Sequence, residues 1–82
     1  MTATTATIYE LWDVETANLI SDHENEAAAL RAVCDGVVED GIDAWVMVAL
    51  MRVEPGGMRE PIAQGGDLIR RARGEDARAA DD

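Results

Sequence analysis

Few side chains in this sequence have the types and spacing that chemistry needs. There is one histidine, His23, one cysteine, Cys34, and a run of carboxylates, Glu10, Asp13 and Glu15, on the first apolar stretch. A metal centre needs several converging ligands. His23 and Cys34 are separated by about three helical turns if one helix carries both, too far to share an ion. His23, between Asp22 and Glu24, therefore reads as an exposed residue at a helix start. A reactive thiol needs a depressed pKa and access to solvent. Cys34 falls in an apolar stripe and reads as a small buried residue. Two carboxyls divide acid and base roles when burial separates their pKa values. Strand alternation sends Glu10 and Asp13 to opposite faces, which argues against a dyad. Glu10 shares its face with Ile8 and Trp12, at the border of an interface where an arginine is its natural partner. No catalytic residue, metal ligand or cofactor is assigned.

Two further clusters invite a binding role. Gly65-Gly66-Asp67 precedes a helical stretch, where exposed amides attract anions. The glycine spacing and lysine of phosphate loops are missing, and Asp67 repels an anion, so a turn and cap is the simpler reading and a ligand loop the alternative. Arg70-Arg71-Ala72-Arg73 is the basic cluster of the chain, flanked by Asp67, Glu75 and Asp76, and is expected to pair with acids of its own fold or of a partner. Trp12 and Trp45 are core candidates, and tryptophan is also enriched at interfaces.

The elements that must position these groups follow from periodicity. Thr7 to Val14 is aromatic and β-branched, and after Glu15-Thr16-Ala17-Asn18 the chain returns through Leu19-Ile20-Ser21, predicting a hairpin in which Asn18 tolerates the positive φ of the turn. Ser21 to Glu24 fits a capping box. The helix it opens carries Ala27, Leu30, Val33, Cys34, Val37 and Val38 on one stripe and stops at Gly41. Gly36 within it either weakens the helix or admits a close neighbour. Asp43 to Val53 predicts a third strand with apolar residues on both faces, Trp45, Met47 and Met51 on one of them. Pro55-Gly56-Gly57 turns the chain into a fourth strand, Met58 to Ala63, which Pro61 places at a sheet edge. Asp67 caps a short last helix through Leu68, Ile69, Arg70 and Arg71.

Composition bounds the rest. With 82 residues, the chain makes a single domain, which buries only about 60% of its unfolded surface. The expected division is an α+β domain over residues 1–74 and an acidic, solvated tail over residues 75–82. A single cysteine excludes an internal disulfide. No apolar run reaches the roughly 20 residues of a membrane span, and Met1 to Thr7 has neither a basic nor an apolar leader segment, so the cytoplasm is the expected compartment. The formal net charge of −10 opposes binding to nucleic acid and favours basic partners. All seven basic residues are arginine, a bias associated with GC-rich bacterial genomes.

Tyr9-Glu10-Leu11-Trp12-Asp13, with Asn18-Leu19-Ile20, Glu26 to Leu30 and Pro61-Ile62-Ala63-Gln64-Gly65, resembles a group of short α+β proteins of high-GC bacteria. That resemblance spans most of the chain and implies a small α+β fold and no assigned activity. The hairpin-helix-hairpin order is also loosely similar to antitoxin domains of the HicB type.

The expected architecture is therefore ββαββ: an antiparallel four-stranded sheet, one amphipathic helix on one face and a short C-terminal helix. One helix shelters one face of such a sheet, and a bare apolar face exceeds what monomers usually expose. A homodimer is expected, joined through the face carrying Trp12, Trp45, Met47 and Met51, with an acidic exterior suited to a basic protein partner. The bland alternative is that the last helix folds over the second face. The alternative function is a small-ligand carrier with its pocket between subunits.

Overall fold

A computed structural model of the protein describes residues 6–81, with side chains described up to Gly74. The elements run β1 (Ile8–Asp13), β2 (Asn18–His23), α1 (Glu26–Asp40), a 3-10 turn (Ile42–Ala44), β3 (Val48–Val53), β4 (Arg59–Gln64) and α2 (Gly65–Asp81). The strands form one antiparallel sheet in the order β2-β1-β3-β4, so the fold is the α+β arrangement the sequence predicts. β4 is an edge strand, as Pro61 requires, because proline cannot donate to a ladder.

The β1–β2 turn is built on Asp13, whose Oδ1 accepts from the amides of Glu15 at 2.9 Å and Thr16 at 3.3 Å. Ala17, not Asn18, takes the left-handed conformation, with φ of 60°. Asn18 opens β2 opposite Asp13, so the ladder claims it before the turn can. Ser21 does not cap a helix either. It is paired with Leu11 in β2, and its Oγ lies 2.9 Å from His23 Nε2. The cap is Asn25, whose side chain accepts from Ala28 N at 2.8 Å. His23 is thus the last residue of β2, not the first of a helix, and is half-buried.

The third strand is shorter than its apolar run predicts. Gly41 to Ala44 wind into the 3-10 turn, with Ala44 N donating to Gly41 O and Trp45 N to Ile42 O. This turn releases Trp45 from the sheet and seats it on α1, where it is only 9% exposed. A Cβ at Gly36 would lie 2.0 Å from Trp45 Cζ2, so the glycine inside α1 is the floor of the indole's seat. Trp45 Nε1 reaches Asp40 Oδ2 at 3.5 Å.

α2 is longer than the short helix expected, with its backbone reaching Asp81. The side chains of residues 75–81 and the whole of residue 82 lie outside the described structure, and so does the expectation of a solvated acidic tail. α2 starts directly at the end of β4, where Gly65 takes φ of 60° and packs so close to Val46 O that a Cβ would sit at 2.9 Å.

The core is one cluster. Leu11, Val48 and Leu50 from the sheet meet Ala29, Leu30 and Val33 of α1, Leu68, Ile69 and Ala72 of α2, and Trp45. Tyr9, Ala32, Cys34, Val37, Ile62 and Ala63 pack around it. α1 lies over β1 and β2 and α2 over β3 and β4, and the helices touch each other. Arg71 Nε of α2 donates to Glu26 Oε2 of α1 at 2.7 Å. Both helices therefore cover the same side of the sheet.

Candidate functional site: the open face of the sheet

Alternation along each strand assigns the opposite face. Register pairs Ile8 with Val53, Glu10 with Met51 and Trp12 with Ala49 between β1 and β3, and Trp12 with Leu19 between β1 and β2. On β4, Val53 meets Arg59 and Met51 meets Pro61. None of these residues belongs to the core cluster or to the side chains packed around it. Ile8, Trp12, Met51 and Val53 are half-buried by their neighbours in the sheet, and Leu19 is 46% exposed. α1 and α2 both pack on the other side, and the β1–β2 turn borders this face through Val14 and Ala17.

The polar feature built into this face is a three-residue cluster. Glu10 Oε1 accepts from Trp12 Nε1 at 2.8 Å and from Arg59 Nε at 3.1 Å. The Arg59 guanidinium carbon stands 5.9 Å from the centre of the Trp12 ring, within cation–π range. Arg59 is on the edge strand β4 and Glu10 on β1, so the arginine spans β3. The Glu10 side chain is 13% exposed. Burial by itself pushes its carboxyl pKa up. The hydrogen bonds from Trp12 and Arg59, with the positive charge of Arg59, outweigh that and bring it below the ordinary glutamate value.

Beside this cluster lies a concavity of about 310 Å3 lined by Trp12, Asp13, Val14, Ala17, Ala49, Met51 and Arg59. Its wall is almost wholly apolar, and the guanidinium stands at its border. The volume is at the lower end of small-molecule sites.

Of the four residues expected at an interface, Trp12 and Met51 come together on the open face. Met47 sits in the turn before β3, 41% exposed, where its carbonyl accepts from Val14 N at 2.9 Å. Trp45 lies in the core on the helix side. Gly65, Gly66 and Asp67 form the first turn of α2, not a loop, and Asp67 pairs with Arg70 one turn on. Arg71 is likewise taken by Glu26, so two of the clustered arginines serve their own fold. Cys34 is half-buried in the seam between α1 and α2 beside Val37, Ile69 and Arg73. Among the described residues, no group of three His, Cys, Asp or Glu side chains could hold a metal ion, and no helix is long and apolar enough to cross a membrane. Arg59 is the site residue that sequence reasoning did not single out. Its signal was indirect: a carboxylate on an apolar strand face calls for a cation from a neighbouring strand, and β4 offers this one. The chain matches no known protein family, no curated protein and no solved structure.

Proposed function

We propose that the protein is a non-enzymatic interaction module that works as a homodimer, with the two copies joined through their open sheet faces. The observation that carries this reading is the placement of α1 and α2 on one side, which leaves Ile8, Trp12, Met51 and Val53 half-buried and Leu19 exposed on the other, with no helix over them. An apolar face of a small sheet is stabilised by removal from water at about 25 cal/mol per Å2, and in a domain of this size that gain is a large share of total stability. Association would leave both helix layers outward. There the end of α1 carries Asp35, Glu39 and Asp40 and the 3-10 turn after it Asp43, all exposed. No basic residue offsets them in the last turn of the helix, where the dipole disfavours acids. A basic protein partner suits that surface.

A dilution series by light scattering or sedimentation tests the dimer. The dimer reading expects a mass of twice the chain at micromolar concentration and the chain mass for Met51→Glu. That variant leaves the helix-side core intact, so its circular dichroism should match the native spectrum. A native protein that stays monomeric into the high-micromolar range would overturn the proposal.

A second reading is favoured by the apolar concavity beside Trp12: a small-ligand carrier whose pocket is completed by the second copy. Native mass spectrometry on freshly purified protein separates the two, since a carrier retains a small-molecule mass that a plain dimer lacks.

A further inference from the structure

We propose that Arg59 is the specificity-determining residue of the open face, the side chain that lets two copies of this acidic chain meet there. The inference rests on the homodimer reading. A chain of net charge −10 repels its own copy, so self-association is confined to a surface where charge is compensated. The open face is such a surface. Glu10 stands in its middle on β1, 13% exposed, and a second copy would remove what solvent it still touches. Arg59 Nε meets the same carboxylate oxygen that holds the Trp12 indole, at 3.1 Å, and cancels its charge in place.

The other described arginines are committed elsewhere. Arg52 pairs with Glu54 at 2.9 Å and Glu60 at 3.7 Å, from the strand position that alternation turns to the helix side. Arg70 and Arg71 pair on the helix layer, Arg31 is on the exposed side of α1 and Arg73 is in the helix seam. The one further acid that alternation puts on this face, Asp22, is exposed and on the edge strand β2, where it stays in water. A basic partner would be drawn to uncompensated acids, which the α1 surface offers in number and this face carries only at its β2 edge, at Asp22, while the acid in its middle is neutralised by Arg59. The charge pattern therefore selects a second copy of the chain as the occupant.

Symmetry doubles the effect of losing the cation, because each interface would enclose two bare carboxylates. The test is a cycle of Arg59→Gln, Glu10→Gln and the double variant, followed by sedimentation over a concentration series, with circular dichroism to confirm that each is folded. Arg59→Gln keeps most of the stem and should weaken the dimer by about a hundredfold or more. Glu10→Gln/Arg59→Gln should return to within about tenfold of the native constant, since no charge is then left to enclose. A double variant as weak as Arg59→Gln would overturn the inference, because Arg59 would then act through contact area alone. An Arg59→Gln dimer as tight as the native one would also overturn it while leaving the homodimer reading standing. A native chain that never dimerises removes both.

Discussion

The indole of Trp45 rests on the bare backbone of Gly36, with Cζ2, Cε2 and Cη2 at 2.0, 2.3 and 2.8 Å from where a Cβ would be. Gly36→Ala therefore sets two effects against each other. Alanine favours the helix by about 1 kcal/mol, while forcing a methyl into the seat of a rigid ring costs about 1–3 kcal/mol. The clash is with the body of the ring, not the tip of a flexible chain, so the second effect wins. Urea denaturation should show a lower midpoint for Gly36→Ala, and Trp45 fluorescence should shift as the ring becomes more exposed. An unchanged or higher midpoint would mean the indole has room to move.

Leu11 and Leu50 face each other across β1 and β3, and both are fully buried at the centre of the core. Truncating either to alanine removes packing from the cluster that joins the sheet to the helices, for which about 2–5 kcal/mol is the usual loss. In a domain of this size that is a large part of the whole stability. Leu50→Ala should be largely unfolded by circular dichroism at 37 °C. Met51→Ala, the next residue on the opposite face, should melt much closer to the native protein.

How the chain's elements were legible depends on how local their causes are. The edge position of Pro61 and the two hairpins follow from proline chemistry and periodicity and appear in the fold. The helix stripe appears through Leu30, Val33, Cys34 and Val37, with Ala29 buried where the stripe predicts Ala27, and Ala27 exposed. Asp43 to Met47 reads as strand because its residue types suit one. What bends it away is the distant seat at Gly36, which no short window reveals. Ser21 fits a helix cap by spacing, yet pairing with Leu11 in the sheet outweighs a single side-chain hydrogen bond, and Asn25 serves instead. Val38 sits on the apolar stripe by count but is 88% exposed, because α2 covers only the near side of α1. At the site, alternation placed Glu10 with Trp12. The partner Arg59 depended on strand order, which the sequence leaves open.

Ala17 occupies a left-handed position, φ 60°, that costs an L-residue about 1–2 kcal/mol. Asparagine tolerates this region better than alanine, and glycine better still. Ala17→Asn should raise the unfolding midpoint slightly. Ala17→Gly should gain less than its steric relief suggests, since glycine also loses more chain entropy on folding. Thermal unfolding of the pair against the native chain checks the order; a drop for Ala17→Asn would mean that the turn does not hold this conformation in solution.

The depressed pKa of Glu10 links this cluster to acid stability. Burial raises the pKa, the Trp12 and Arg59 hydrogen bonds and the Arg59 charge lower it by more, and the net folded value is below the unfolded one. The pair's contribution is thus fully present above the ordinary glutamate value and is lost as pH falls through the folded value. Urea titrations at stepped pH below that ordinary value should show native stability falling more steeply than that of Glu10→Gln. Parallel slopes would remove Glu10 from the acid response.

Each outer strand of the sheet carries an irregularity in its register, between Leu11 and Trp12 against β2 and between Leu50 and Met51 against β4, and Pro61 removes an amide from the latter. A neighbouring chain seeking to extend the ladder sideways meets strands whose register is interrupted. Growth into ribbons or fibrils is thereby discouraged in the one direction that would be endless.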